Sequence, residues 1–339
     1  MPGQPIFDEK FITPFVTGLS VTLKDFCELE TKMEKFGPVG TTGAPKIAIA
    51  GVIGVTGKKF SGAFTLGFPR ETFVRVMNKI LKSNHIDITS EIEDGAGELS
   101  NVVFGLAKHM LNEKGYEVKL ALPTVLRSDD LSAMSQGLGA ATEVLLSTQL
   151  GPIVIELAGN VIAPAAVDPA LQTKFEVPKL DTDVLVSFVR AIRTTFDTQC
   201  RTIPEAGTPF AKSNKADSKG YDIGGIVSVT AASFTGTFAI FFEEDVFLQL
   251  VEHMTGERPQ KITAEIQDAA AELVNISFGV AKRILNAEGH MLQTSIPTVV
   301  RGSKIQSSYP SSRPPVVVPF SILGGQMWTE FAFDPPIDI

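Results

Sequence analysis

A long internal repeat constrains this chain more than any other feature of its sequence. Residues 91–101 read EIEDGAGELSN, and about 174 residues later residues 265–275 read EIQDAAAELVN. The match continues in both copies through Phe-Gly, Ala-Lys, Leu-Asn, a single Gly and Pro-Thr-Val. Because the flanks recur in the same order, the chain is a tandem duplication, and we expect two similar folded units.

Length and composition agree with two domains. The chain has 339 residues, 44% of them hydrophobic and 20% charged, which is enough to bury a large core. We assign residues 1–165 to the first domain and 175–339 to the second, joined by a Pro- and Ala-rich link between residues 160 and 179. The first residues lack a basic region followed by an apolar run, and the longest apolar stretch, 47–55, is far below the roughly 20 residues of a membrane span. We therefore predict a soluble, cytoplasmic protein without membrane contact.

Charge and residue chemistry exclude several classes of function. The formal net charge of −8 opposes nucleic-acid binding, which needs clustered Lys and Arg. Cys27 and Cys200 occupy equivalent positions and are predicted to be small buried side chains, not a disulfide. The four histidines show no metal-ligand spacing, and no Ser or Cys stands in a pattern typical of a nucleophile with its base. We predict no metal site and no resident cofactor.

The two copies predict the same order of elements: a helix, a variable loop, a β-hairpin, a short helix, the long repeat-bearing helix and closing strands. Strands and helices grouped in this way indicate an α+β fold, not alternating βαβ units. A Gly-rich segment, 51–59, resembles a phosphate-binding loop, but its spacing is wrong and it is predicted to be a hairpin. Ser90 and Glu93 fit a capping box. The predicted ranges are 9–27, 46–55, 60–66, a short helix from 70, 89–115, 117–121, 143–149 and 152–157 in copy one, and 183–200, 225–230, 234–241, a short helix from 244, 263–289, 291–295, 316–323 and 326–333 in copy two.

Each repeat-bearing helix has one polar face built on the triplet Asp-x3-Glu-x2-Asn. At roughly 100° per residue, the face contains Asp94, Glu98, Asn101, Gly105, Lys108 and Asn112 in copy one, and Asp268, Glu272, Asn275, Gly279, Lys282 and Asn286 in copy two. The residues expected to face the sheet in copy one are Ile92, Leu99, Val103, Leu106 and Met110. An ordinary solvated face is one interpretation. Small residues around both triplets favour another, in which the backbone is bare for a partner, since each Gly costs about 1 kcal/mol of helix stability.

The triplet with its flanks resembles the signature of the CheC/CheX/FliY phosphatases of bacterial chemotaxis, and is most similar to CheX. The resemblance covers each half of the chain once and implies two tandem CheC/CheX-like domains, each a β-sheet packed on long helices. It implies that Glu98 with Asn101, and Glu272 with Asn275, are catalytic. It further implies a partner-binding surface of Asp94, Gly105, Lys108, Asp268, Gly279 and Lys282.

The resemblance implies hydrolysis of the aspartyl phosphate on a response-regulator receiver domain such as CheY. The Asn amide would orient a water, the Glu would dock on a receiver lysine, and Mg²⁺ would come from the receiver. Domains of this type pair, so the two copies are expected to form an intramolecular pseudo-dimer, with a homo-oligomer of the whole chain also open. Two other functions remain: a binding module like the middle domain of FliM, and a scaffold with a vestigial motif. The Glu and Asn present in both copies favour the enzyme.

Overall fold

The computed structural model describes residues 7–57, 60–131, 140–161, 182–212, 220–231, 234–309 and 314–334. Its helices are α1 Glu9–Cys27, α2 Arg70–Leu81, α3 Ser90–Glu113, α4 Thr182–Cys200, α5 Glu244–Thr255 and α6 Asp268–Ala287. Its strands in the first half are β1 Thr31–Pro38, β2 Ile47–Thr56, β3 Phe60–Phe68, β4 Lys119–Leu120, β5 Thr124–Leu131, β6 Ala140–Thr148 and β7 Gly151–Val161. Those of the second half are β8 Glu205–Ala206, β9 Phe210–Ala211, β10 Tyr221–Thr230, β11 Thr235–Phe242, β12 Gln293–Thr294, β13 Thr298–Ser308, β14 Val316–Ile322 and β15 Gly325–Asp334.

The two halves have the same strand order, and across the sheet the second half follows it in reverse. The first half runs β1-β6-β7-β3-β2-β5, and the second continues β13-β10-β11-β15-β14-β8. The halves join where β5 pairs antiparallel with its own counterpart β13, with Arg127 opposite Gln306. The predicted α+β class and the duplication are therefore confirmed. The predicted domain boundary between residues 165 and 175 lies outside the described residues.

The layers stack as helix, sheet, sheet, helix. One apolar cluster lies between each sheet and the helices of its own half. A third cluster lies between the two sheets and combines residues of both halves, among them Val52 and Leu126 with Phe241 and Trp328. The central strands β2 and β3 are buried along their whole length, because each is covered by helices on one face and by the other sheet on the second.

Glycines set how closely each long helix approaches its sheet. A Cβ at Gly51 of β2 would lie 2.1 Å from Ser100 Oγ and 2.7 Å from the Ala96 carbonyl oxygen of α3. At the equivalent Gly225 of β10, a Cβ would lie 2.6 Å from the Ala270 carbonyl oxygen of α6. Real side chains do not tolerate such distances, so the missing Cβ lets the helix backbone rest directly on the strand. The polar face of the helix is thereby held on the outside of the molecule.

Several sequence predictions need correction. The strands β5 and β13, which join the halves, and the edge strand β1 were not predicted, and β4 and β12 are only two residues long. Helix α6 begins at Asp268, not at residue 263, because residues 264–267 form turns before the regular helix. The capping box is wrong: Thr89 caps α3 without a side-chain hydrogen bond, and Glu93 is used elsewhere. The hairpin predicted for the segment 51–59, by contrast, is confirmed: residues 51–56 belong to β2, which pairs antiparallel with β3, and residues 58–59 lie outside the described part.

Candidate functional site

The polar triplet of copy one lies on the outer surface of α3. Asp94, Glu98 and Asn101 are all exposed, whereas Leu99 and Val103 between and beyond them are buried against the sheet. Within the described residues, none of these three side chains has a hydrogen-bond or ion-pair partner. The carboxylate and the amide are therefore available to a visiting molecule.

The triplet of copy two is placed in the same way, with two differences. Glu272 is exposed and Asn275 is half-buried, and neither has a partner within the described part of the chain. Asp268 is the first residue of α6, whereas Asp94 lies inside the second turn of α3. Partial burial raises the pKa of the Asp268 carboxyl. The position of the Glu-Asn pair on the helix is therefore more similar between the copies than the position of the Asp.

The small residues beside the triplet divide into two groups, which corrects part of the sequence interpretation. Ala96 and Gly97 face inward and are buried. A Cβ at Gly95 would meet the flexible end of the Met77 side chain of α2, which can move aside at little cost. Close packing of the helix explains the small residues at 96 and 97, whereas position 95 is only weakly constrained. At Gly105 and at its equivalent Gly279, a Cβ would meet nothing within 4 Å. Only these two glycines leave the outer backbone bare.

Three other positions on the helix differ from the prediction or acquire a structural explanation. Leu106 was expected to face the sheet, but it lies beside Gly18 of α1 and is 38% exposed. Asn112 accepts a hydrogen bond from the Val118 amide at 2.5 Å, and Asn286 accepts one from the Leu292 amide at 2.6 Å. These two asparagines fix the loop after each helix.

The lysines of the predicted partner-binding surface, Lys108 and Lys282, are half-buried beyond the triplet. Lys108 lies two turns after Asn101 on the same face and lines a cavity between the halves. The structure therefore places Asp94, Glu98, Asn101 and Gly105 together on an open surface, and Lys108 at its border.

An ion pair that the sequence analysis did not identify supports the start of α3. Arg127 of β5 lies 3.1 Å from Glu93, and Ser308 of β13 donates a hydrogen bond to Glu93 at 3.3 Å. Burial is the larger effect on Glu93 and raises its pKa, against the opposing charge of Arg127. The ion pair stays within the first half, and the hydrogen bond from Ser308 connects α3 to a strand of the second half. No local sequence signal predicts it, because Glu93 and Ser308 are distant in the sequence and meet only through the β5–β13 junction.

The described ranges contain no group of three or more His, Cys, Asp and Glu side chains that could bind a metal ion. Both cysteines are free and buried in the described structure, and burial raises the pKa of the Cys200 thiol to about 12. None of the described helices has the length and apolar composition that crossing a bilayer requires. The arrangement offers an exposed Glu carboxylate in each half, beside an Asn amide that is exposed in the first half and half-buried in the second.

Comparison with known proteins identifies relatives of both halves. The family model for the chemotaxis phosphatase CheX matches residues 49–144 and 223–321, segments that contain both triplets. The CheY-P phosphatase CheX of Thermotoga maritima is 27% identical over 131 residues, which span 38% of this chain and 83% of that protein.

Solved structures give similar matches. A CheC-like superfamily protein from Shewanella sp. PV-4 is 27% identical with a TM-score of 0.43, and covers 45% of this chain and 98% of its own. The chemotaxis protein CheX from Vibrio vulnificus is 25% identical with a TM-score of 0.42, and covers 44% of this chain and 99% of its own. Because the two segments matched by the family model make up more than half of the 339 residues, and each contains one copy of the triplet, the chain belongs to the chemotaxis phosphatase CheX family.

Proposed function

We propose that this protein accelerates hydrolysis of the aspartyl phosphate of a CheY-like response-regulator receiver domain. The observation that carries the proposal is an exposed Glu with an Asn one turn later, both without intramolecular partners in the described structure, on the outer helix of each half. Membership of the CheX family and the name of the Thermotoga relative support the choice of substrate. The proposed catalytic residues are Glu98, Asn101, Glu272 and Asn275.

Asn101 and Asn275 would hold the attacking water. An aspartyl phosphate is an activated acyl phosphate, so its hydrolysis needs chiefly a water positioned in line with phosphorus and neutralisation of the phosphoryl oxygens. A carboxamide both donates and accepts hydrogen bonds and adds no negative charge beside the phosphoryl group. A carboxylate at the same position would repel the phosphoryl oxygens. The residue type therefore suits the task.

Glu98 and Glu272 would dock on a lysine of the receiver, one helical turn away from the amide. An exposed ion pair contributes at most about 1 kcal/mol, and more only when docking removes water from it. Their contribution is therefore expected to lie in setting the register of the helix on the receiver. Asp94, Gly105 and Lys108, with Asp268, Gly279 and Lys282, would form the surrounding contact surface.

The Mg²⁺ that neutralises phosphoryl charge would be supplied by the receiver, since the proposal assigns this chain no metal or cofactor. The proposal places the protein in the cytoplasm. It also treats the two halves, whose sheets share one apolar cluster, as an intramolecular pseudo-dimer. Light scattering after gel filtration tests this arrangement: a mass of 36.4 kDa corresponds to one chain, and a multiple identifies a homo-oligomer.

The test is a phosphate-release assay on a receiver. A CheY-like receiver phosphorylated by a small-molecule donor is incubated with Mg²⁺, with and without the protein, and loss of the aspartyl phosphate is followed over time. The wild type should accelerate the loss, and the double variant Asn101→Ala with Asn275→Ala should not. Circular dichroism and the unfolding midpoint of the double variant serve as the control for folding.

Each outcome has a defined meaning. Full activity in the correctly folded double variant would remove the proposed mechanism. Binding of the phosphorylated receiver without accelerated release would instead identify a non-catalytic interaction module like those of the flagellar switch. Absence of both binding and release, with several receivers, would leave the motif without a role.

A further inference from the structure

A cavity of about 450 Å³ lies between the two halves, beside the motif helix of the first. Its lining residues are Lys108 and Lys119 from the first half and Thr230, Ala231, Thr235, Met291 and Gln293 from the second. This volume falls within the range of roughly 300–1,000 Å³ that is typical of small-molecule sites. The cavity lies at the end of the stacked sheets, where β4 and β12 pair with the last residues of β2 and β10.

The wall of the cavity is positively charged in a protein whose net charge is −8. Lys108 and Lys119 have no ion-pair partner within the described residues, and no acidic side chain lines the space. Two ammonium groups that share one cavity repel each other, and an anion between them relieves that repulsion. The charge distribution therefore favours an anionic occupant.

The neutral part of the wall offers further hydrogen-bond donors. Thr230 is buried, and its hydroxyl has no hydrogen-bond partner in the described part of the chain. Thr235 and Gln293 add a second hydroxyl and an amide. A tetrahedral oxyanion, with several acceptor oxygens, matches lysines, hydroxyls and an amide that surround it.

The duplication shows that this wall is not a simple consequence of the repeat. Exchanging the halves swaps Lys119 with Gln293, so the equivalent surface keeps two lysines, Lys282 and Lys119, and it has Glu117 in the place of Met291. The equivalent surface thus gains a carboxylate where the cavity has a thioether. The cavity therefore has two lysines without a carboxylate, whereas the equivalent surface has two lysines with one.

We propose that this cavity binds a small ligand through a phosphate group, with Lys108, Lys119 and Thr230 as its main contacts and one site per chain. The ligand bridges the two halves and lies beside the motif helix. The proposal does not depend on the phosphatase function, because it concerns binding by the protein alone.

The test is equilibrium binding measured by calorimetry at constant ionic strength, with inorganic phosphate and glycerol 3-phosphate as probes and acetate for comparison. Both phosphate probes should bind saturably, at one per chain, and more tightly than acetate. Tighter binding of glycerol 3-phosphate than of phosphate identifies an organic phosphate as the occupant, and equal binding identifies the free ion. No saturable binding of either probe at ~10 mM would overturn the proposal.

Two pairs of matched variants locate the site. Lys119→Gln installs the residue that copy two has at the equivalent position 293, and it should weaken binding about tenfold, as loss of a charge-assisted hydrogen bond does. Lys261→Gln removes the same charge from an exposed position outside the cavity lining and should leave binding unchanged. Equal weakening by the two variants would show unspecific attraction and contradict the proposal.

Thr230→Val removes the unpartnered hydroxyl at nearly constant volume and should weaken phosphate binding several-fold. Thr56→Val removes the equivalent unpartnered hydroxyl of copy one, which does not line the cavity, and should have no effect on binding. Neither variant should lower stability, since replacing a buried hydroxyl that has no partner is neutral or favourable. Equal binding by the two variants would exclude Thr230 as a contact.

Discussion

The two motif helices, α3 and α6, present the same Glu-Asn pair on their outer face but are attached to the rest of the molecule in different ways. Each presents a Glu and an Asn outward, one turn apart. Helix α3 has 24 residues, and its Glu93 contacts strands of both sheets. Helix α6 has 20 residues, and the equivalent residue, the buried Gln267, lies just before its start. Gly95 and Gly97 of the first helix are replaced by Ala269 and Ala271 in the second. Packing tolerated these changes, so packing alone does not account for the Glu-Asn pair in both halves.

The largest expected effect is the loss of phosphatase activity when Asn101 and Asn275 are replaced, and the single variants compare the two sites. The double Asn variant should lose about 100-fold in the accelerated rate, which corresponds to roughly 3 kcal/mol of transition-state stabilisation. Of the single variants, Asn101→Ala should lose more than Asn275→Ala, because Asn101 is exposed and Asn275 is half-buried. Initial rates at saturating phosphorylated receiver measure both. A larger loss in Asn275→Ala would reverse the ranking of the halves.

The next effect concerns how closely α3 and α6 pack on the strands beneath them. Gly51→Ala should lower the free energy of unfolding by about 1–3 kcal/mol, the usual cost of overpacking, because its Cβ meets both Ser100 Oγ and the Ala96 carbonyl. Gly225→Ala should cost less, since its closest contacts are the Ala270 carbonyl at 2.6 Å and Val274 Cβ at 3.0 Å. Urea titration gives both values.

A second substitution provides the control for that prediction. Ser100→Ala in the Gly51→Ala background removes the hydroxyl that the new methyl group meets, and it should restore part of the lost stability. Full stability in Gly51→Ala alone would show that α3 shifts outward without cost. The missing Cβ at Gly51 would then not be needed for the packing of α3.

The sequence predicted local features well and contacts between the halves poorly. Helix α1 was predicted with its observed bounds, since its apolar residues recur at helical spacing, and the exposed triplet followed from the same periodicity. The strand β5 was not predicted because Arg127, Ser128, Asp129 and Asp130 interrupt its apolar pattern. Those polar residues are explained by distant partners: Asp130, for example, accepts a hydrogen bond from the Ser303 amide of β13.

The small residues near the triplet also show that local sequence does not reveal contacts with other elements. Periodicity identified Gly95, Gly97 and Gly105 as unusual in a helix, but it could not distinguish Gly95, which lies against the Met77 side chain, from Gly105, which faces open space. That distinction depends on the position of α2, which no local pattern in α3 encodes. The cavity between the halves depends in the same way on the sheet-on-sheet packing.

The open glycines give a third, smaller effect. Gly105→Ala and Gly279→Ala should each raise the free energy of unfolding by about 0.5–1 kcal/mol, because alanine favours the helix and no neighbour lies within 4 Å. If the receiver docks on the bare backbone, the same variants should weaken its binding while they stabilise the fold. Thermal unfolding and a receiver titration measure the two effects separately. Greater stability with unchanged receiver affinity would move the docking surface away from these glycines.

The smallest effect concerns Glu93, the half-buried carboxyl of α3 that has no carboxyl counterpart at the equivalent position beside α6. Burial raises the pKa of Glu93 above 4.5, its ordinary value, so the folded state holds this proton more tightly than the unfolded state. The contribution of Glu93 to stability is therefore full below pH 4.5 and is lost as the pH rises through the folded-state pKa. Glu93→Gln, which copies the residue at position 267, should remove this dependence.

Urea unfolding of wild type and Glu93→Gln at several pH values measures that contribution as a difference. The advantage of the wild type should shrink as the pH rises from 4.5, by less than about 1.4 kcal/mol per pH unit, the limit for one proton. An advantage that grows with pH would mean that attraction to Arg127 outweighs the burial of the carboxylate. The ion pair would then stabilise the attachment of α3 to β5, and the two helices would differ in how strongly they are anchored.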